Sequence, residues 1–376
     1  MTPSLLRMTE LILGFILLGA ALLLLLALLY RTIRQALAAR ALAIRTPNGI
    51  QEGRFVQIGE RKEWVQIRGE DRNNPILLFL HGGPGVANSP LTALFRAWER
   101  DFTVVQWDQP GAGKTASRNG KRGYQGLTVN SMVDDGVQVA EWALRRLGQR
   151  RLIILGTSWG SLLGIQIVKR RPGLALAYVG VGQFVDGEAG QRAGYELALT
   201  RARTLSKSET LKTLEQVGPP PYADSKTSML KQRALGQVDL ETEGGRRMPN
   251  ILAAALFAPG YSLRDTLAYL QGMPMSIETF ERSIMSHDLR PLGMDFDVPL
   301  FFLQGARDIY TPAAPVQEYV ATLRAPRKEL VVWDDEGHLT FLTNPEKIHG
   351  ELLARVRPVA SKALVADGAT PPGPRV

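Results

Sequence analysis

Residues 156–160, Gly156-Thr157-Ser158-Trp159-Gly160, place a serine between two glycines, directly after an apolar run ending at Leu155 and before the apolar stretch Leu162 to Val168. A strand, a G-x-S-x-G turn and a helix in that order force a bend that only small flanking residues tolerate. The bend lifts the hydroxyl above the sheet edge, which makes Ser158 a nucleophile candidate. A hydroxyl attacks a carbonyl efficiently only when a positioned base takes its proton. The chain offers four histidines. His338, in Glu336-Gly337-His338 just past the last strand-like run, is the best placed of them; His349 in a closing helix and His287 in a helical region read as solvated. The imidazole in turn needs a carboxylate to fix its tautomer. Asp308, in Gln304-Gly305-Ala306-Arg307-Asp308 after the run Leu300 to Leu303, supplies one, with Asp334 and Asp335 as rivals of a kind usually left to solvent. The chemistry this set could perform is acyl transfer through a covalent serine intermediate.

Such a reaction develops an oxyanion, which backbone N–H groups must receive. His81-Gly82-Gly83-Pro84-Gly85 follows the run Ile76 to Leu80, and its glycines allow close backbone approach to a substrate. Gly83, paired with the residue after the nucleophile, Trp159, is the expected donor set. His81 itself reads as a structural imidazole rather than a proton carrier. Gly111-Ala112-Gly113-Lys114-Thr115 imitates the end of a phosphate-binding loop, but the first glycine of that motif would fall at position 108, where Asp108 stands. Nucleotide binding is therefore not expected.

The elements that must hold these residues are legible as short apolar runs. Phe55 to Ile58 and Trp64 to Ile67 alternate around a polar turn and read as a hairpin. Ile76 to Leu80, Phe102 to Trp107, Leu152 to Leu155, Ala177 to Val181, Leu300 to Leu303 and Leu330 to Trp333 are near-continuous and read as strands buried on both faces. Val133, Val137, Ala140, Leu144 and Leu147 form one helical stripe ending at Gly148. Strands alternating with helices predict a mostly parallel, doubly covered α/β sheet. Residues 183–290 break the alternation with helix signals, among them Ser262 and Asp265 as a capping box, and predict a helical cap over the sheet's carboxyl edge. The division is then an anchor and linker over 1–50, core over 51–182, cap over 183–290, core over 291–358, and a disordered tail over 359–376.

Leu11 to Tyr30 are twenty residues without a charge, long enough at about 1.5 Å each to cross a hydrocarbon core of roughly 30 Å. They predict one transmembrane helix; the rival is a cleaved signal peptide with Ala36-Leu37-Ala38 as its site. Arg31, Arg34, Arg40 and Arg45 follow the span and only Arg7 precedes it, offset by Glu10, which favours a cytoplasmic catalytic body. The same residues explain much of the net charge of +9: residues 1–50 hold five arginines and one glutamate, and the remainder forms no basic stripe. No nucleic-acid partner is expected. The absence of cysteine removes thiol catalysis, disulfides and cysteine-ligated metals, and no metal or cofactor is expected at all.

His81-Gly82-Gly83-Pro84-Gly85, Asp108-Gln109-Pro110-Gly111 and Gly156-Thr157-Ser158-Trp159-Gly160-Ser161 together resemble the prolyl aminopeptidase (proline iminopeptidase) branch of the α/β-hydrolases over roughly residues 52–358. The resemblance implies an α/β-hydrolase fold with a helical cap, a Ser158–Asp308–His338 triad, and Gly83 and Trp159 as the oxyanion hole. Two departures stand out. Pro110 replaces the family's usual arginine, and no tryptophan lies between Trp159 and Trp333, so the tryptophan–glutamate segment that helps bind the substrate's free amino group is missing. Glu188 and Glu196 are the candidates to supply that carboxylate, unless they are merely solvated. The first functional expectation is release of a small N-terminal residue from short peptides. A carboxylesterase or amidase acting on small acyl substrates is the second, and a catalytically silent binding module the third.

Overall fold

The computed structural model of the chain describes residues 3–221, 225–240 and 248–366. Helix α1 (Pro3–Ala41) leads into an eight-stranded sheet in the order β1-β2-β4-β3-β5-β6-β7-β8. The strands are β1 (Ile50–Ile58), β2 (Arg61–Gly69), β3 (Ile76–Leu80), β4 (Thr103–Asp108), β5 (Leu152–Thr157), β6 (Ala175–Val181), β7 (Leu300–Gly305) and β8 (Lys328–Trp333). β1 and β2 pair antiparallel with each other, as do β2 and β4, and every pair from β3 onward is parallel. The alternation of side chains along each strand feeds two cores. Leu78, Leu80, Val105, Trp107, Ile154 and Phe302 face α3 (Val129–Leu147) and α4 (Trp159–Arg170). Leu77, Phe79, Val104, Ile153, Leu155 and Phe301 face Trp98, Phe341, Leu352 and Leu364 on the opposite side. Only β8 departs from the expected double burial: its residues 328–332 are half-buried, because it is the edge strand.

Helix α3 has the expected stripe. It begins at a Thr128–Ser131 capping box and stops at Gly148 in the left-handed region (φ 68°). Between β6 and β7 the described chain is helical: α5 (Gly187–Thr204), α6 (Ser208–Val217), α7 (Ser225–Leu240), α8 (Ile251–Phe257) and α9 (Leu263–Met285), the last opened by the Ser262–Asp265 capping box. The chain's end differs from the reading of a tail from residue 359. A helix, α10 (Arg357–Ala366 here), continues past Ser361, and Ala360 and Leu364 are buried against the second face of the sheet. Val359 and Ala363, half-buried, pack against the same core, so the apolar residues of this segment hold the helix to the sheet. The rest of that expected tail, 367–376, lies outside the described residues.

Candidate active site

Ser158 caps α4 with φ 52° and ψ −119°, a conformation non-glycine residues rarely adopt. The flanking glycines make this turn possible by close packing: a Cβ on Gly156 would collide with the Gly160 carbonyl, and one on Gly160 with the Leu80 carbonyl. The strand and the helix after it thus pass too near each other for any larger residue. β7 ends at Gly305 and delivers Asp308, and the loop after β8 delivers His338.

These three side chains meet although 180 and 30 residues separate them in sequence. His338 Nδ1 lies 2.8 Å from Asp308 Oδ2, and His338 Nε2 lies 3.0 Å from Ser158 Oγ. With Nδ1–H donating to the carboxylate, Nε2 is left to accept the serine proton. Asp308 is fully buried and also accepts from the amides of Tyr310 (2.9 Å) and Thr311 (2.8 Å), the Thr311 hydroxyl (2.8 Å) and the Gln304 amide (3.2 Å). Those bonds fix the carboxylate's position against the imidazole. The rival carboxylates go elsewhere: Asp334 and Asp335 are exposed, and Asp335 binds Lys347.

The His81–Gly85 loop lies against the serine turn. A Cβ on Gly82 would sit 3.1 Å from the Thr157 carbonyl oxygen and 3.3 Å from Ser158 Cβ, and Gly83 adopts φ 119°. The Trp159 amide opens α4, where a helix has no internal partner for its N–H groups. His81 is buried, its Nδ1 2.8 Å from the Gly82 oxygen while Nε2 accepts from the Gln109 amide at 3.2 Å. Burial pushes its pKa down to about 4, so the ring is neutral and ties the loop together. The Gln109 side chain then donates to the His81 carbonyl (3.1 Å) and accepts from Trp159 Nε1 (2.9 Å), which couples the loop to α4. Lys114 is equally committed: its amide donates to Asp108 Oδ2 (2.9 Å), and its ammonium group lies 3.9 Å from the Trp64 ring centre.

A cavity of about 610 Å³ opens onto Ser158, Trp159, Gly82, Gly83 and His338. Its walls are mostly apolar, including Leu235, Met248, Ile251, Met273, Ile277 and Leu342, with Gln183, Gln191 and Thr311 among the polar side chains. Neither Glu188 nor Glu196 reaches it. Both are exposed on α5, and Glu188 pairs with Arg192 one turn away at 3.1 Å. Two carboxylates do line the cavity: Asp186, which caps α5 through the Ala189 amide (2.9 Å) and pairs with Arg290, and Glu281 near α9's end, accompanied by Lys231, which is buried and whose pKa burial lowers to about 8 against the pull of Glu281. Sequence reasoning missed Glu281 and Lys231, since only the packing of α7 on α9's side of the cavity brings them together; Phe280, whose ring centre is 4.7 Å from that of Trp159, marks the segment. His349 also departs from the expected solvation: it is buried, 3.1 Å from Asp101 Oδ2 and stacked on Trp98. His287 is half-buried beside Phe184.

Fold and site together define a class. A model of the alpha/beta hydrolase fold family matches residues 75–345, and the chain belongs to that family. More particularly, it is 28% identical over 315 residues to the probable aminopeptidase YbaC of Bacillus subtilis, a match covering 80% of this chain and 95% of that one. It is 22% identical over 309 residues to a proline iminopeptidase of Lactobacillus delbrueckii subsp. lactis, covering 80% and 96%. The crystal structure of a proline iminopeptidase-related protein from Thermus thermophilus superposes with a TM-score of 0.57 at 23% identity, over 84% of this chain and 99% of that one. These likenesses make it a prolyl aminopeptidase-like α/β-hydrolase.

Proposed function

We propose that the chain is a membrane-anchored serine hydrolase that releases a small N-terminal residue from short peptides through an acyl-enzyme. The observation that carries the reading is the hydrogen-bonded series Asp308, His338, Ser158 at the floor of the cavity. In this mechanism Ser158 Oγ attacks the carbonyl carbon while His338 Nε2 takes its proton. The Gly83 and Trp159 amides receive the oxyanion, and His338 returns the proton to the departing amine. Water then repeats the sequence on the acyl-serine and frees the residue. Glu281 takes the part first sought in Glu188 and Glu196, receiving the substrate's ammonium group. Helix α1 supports the anchor: it is long and apolar enough to cross a membrane, and it runs unbroken through Ala36-Leu37-Ala38. The arginines after the span favour the cytoplasmic side for the body.

A second reading, an esterase or amidase acting on small acyl substrates, is favoured by the extent of apolar wall around the few charged groups of the cavity, Asp186, Lys231 and Glu281. One comparison separates the two: proline and alanine arylamides, free and N-acetylated, against short acyl esters, in wild type and Glu281→Gln. An aminopeptidase loses a charge-assisted contact of roughly 1.5–3 kcal/mol when the amine is blocked, so N-acetylation and Glu281→Gln should each slow it about tenfold or more. Indifference to both changes, with faster ester hydrolysis, would establish the esterase reading instead.

A further inference from the structure

The apolar surface does not end with the span. Leu252 on α8 and Leu263, Leu267, Leu270 and Met273 on α9 are all about half exposed, between 45% and 55%. On α9 the spacings of four, three and three put them along one face of the helix. That face runs inward, because Leu270, Met273 and then Ile277 line the catalytic cavity. The fourteen steps along the helix from Leu263 to Ile277 cover about 21 Å at 1.5 Å each.

The outer end of this stripe is fastened to α1. Arg31 donates to the carbonyls of Leu256 (3.1 Å) and Tyr261 (2.6 Å), and Gln35 to those of Ala258 and Tyr261 (2.8 Å each). The Tyr30 ring meets Phe257 edge-on at 5.7 Å, and the Arg34 guanidinium lies 5.0 Å from the centre of the same ring. Tyr30 is the last residue of the uncharged run. Residues 256–263 therefore stand at the level where the span leaves the hydrocarbon, the depth at which aromatic rings and arginines favour a membrane interface. A contiguous apolar stripe at that level, with Arg34 and the exposed Arg264 beside it, matches a lipid surface.

We propose that the α8–α9 face is a second membrane contact, resting on the bilayer that holds α1, and that the catalytic cavity is fed from it. Substrates with an apolar part that partitions into lipid travel along Leu263, Leu267, Leu270, Met273 and Ile277 to Ser158. The proposal rests on the membrane reading of α1 and holds for an apolar peptide or an acyl ester alike. A protein seated on the stripe would instead cover the cavity mouth.

The chain has no cysteine, so single cysteines can report on position. The full-length protein is reconstituted in phosphatidylcholine vesicles with an environment-sensitive fluorophore at Leu22→Cys, Leu267→Cys or Lys212→Cys, and brominated acyl chains serve as quencher. Quenching at 22 and 267 but not at 212 is the expected result. Quenching at 22 alone leaves the anchor standing and overturns the second contact; no quenching at 22 overturns the anchor and this proposal with it. The double variant Leu263→Glu/Leu267→Glu then tests delivery. Its turnover of a soluble acetyl ester should stay within about twofold of wild type, and its turnover of a vesicle-borne dodecanoyl ester should fall about tenfold or more, because the lipid contact is lost. An equal change on both esters would show that the cavity is not fed from the membrane.

Discussion

Among single residues, Ser158 holds its turn through its neighbours rather than its hydroxyl, since Gly156 and Gly160 allow the backbone approach. Ser158→Ala should therefore fold normally and lose both turnover and labelling by a serine-directed phosphonate; equal labelling of the two proteins would sink the assignment. Asp308→Asn keeps the amides of Tyr310 and Thr311 in place but no longer stabilises the imidazolium, so kcat should fall by about 10⁴. Combined with Ser158→Ala it should cost nothing further, because triad members act as a unit. Normal activity in Asp308→Asn beside an inactive Asp335→Asn would mean the wrong carboxylate has been chosen. A different residue gives stability a pH dependence. Glu63 is fully buried, accepts from Trp107 Nε1 (2.7 Å) and Arg61 (3.3 Å), and is pushed up to about 8 by burial and by the charge of Asp135. Unfolded, it would ionise near pH 4.5, so between 4.5 and 8 the folded chain holds the extra proton and stability falls as pH rises, by about 1.4 kcal/mol per pK unit. Glu63→Gln has no proton to lose and should flatten that slope; urea unfolding at pH 5 and pH 9 with the same slope as wild type would contradict it. At this scale the sequence pointed to side chains on local turns that the fold brings together, Ser158 and His338. It was silent on Glu281 and Lys231, because what they do depends on how the helices between β6 and β7 pack.

At the scale of elements, α9 presses its backbone onto the loop that carries Gly83. A Cβ on Gly272 would collide with the Gly85 carbonyl and come within 2.8 Å of the Gly111 carbonyl oxygen. The helix that walls the cavity is thus also the brace for the expected oxyanion donors. Gly272→Ala should push the loop aside and lower kcat by about tenfold to a hundredfold, the scale of loss expected when reacting groups are misplaced by an ångström or less. Wild-type kcat in a variant of unchanged Tm would show that the brace does not matter. Strand cores were readable because continuous apolar runs are what a doubly covered sheet demands, and Ile76–Leu80 matches residue for residue. Strand ends were not. β1 extends back to Ile50 through Gln51, Glu52 and Arg54, whose pairing with β2 is made by backbone groups that side-chain pattern does not report. The helix through Ala366 escaped notice for a related reason: Val359, Ala360, Ala363 and Leu364 matter only once the sheet face beneath them exists.

Across the whole molecule, a helix long and apolar enough to cross a membrane was legible from twenty uncharged residues, but its attachment to the body was not. Arg31 and Gln35 find their partners more than 220 residues away, and the partners are carbonyl groups, which every sequence contains. The attachment has a measurable consequence. A chain beginning at Tyr30 keeps these contacts, while one beginning at Gln51 strips the carbonyls of Leu256, Ala258 and Tyr261 of their donors, along with the Arg68 bond to the Leu42 carbonyl (2.5 Å). Each bond contributes about 0.5–1.5 kcal/mol net, and solvent can replace part of what is lost. At roughly 2–4 °C per kcal/mol for a body of this size or smaller, the shorter chain should melt on the order of 5 °C below the longer one. Because Ile251 on α8 lines the cavity, the loosened helix should also raise KM more than it lowers kcat. Matching melting temperatures and matching KM would mean that α1 only tethers the enzyme. A paired loss would make its last three turns part of the catalytic body.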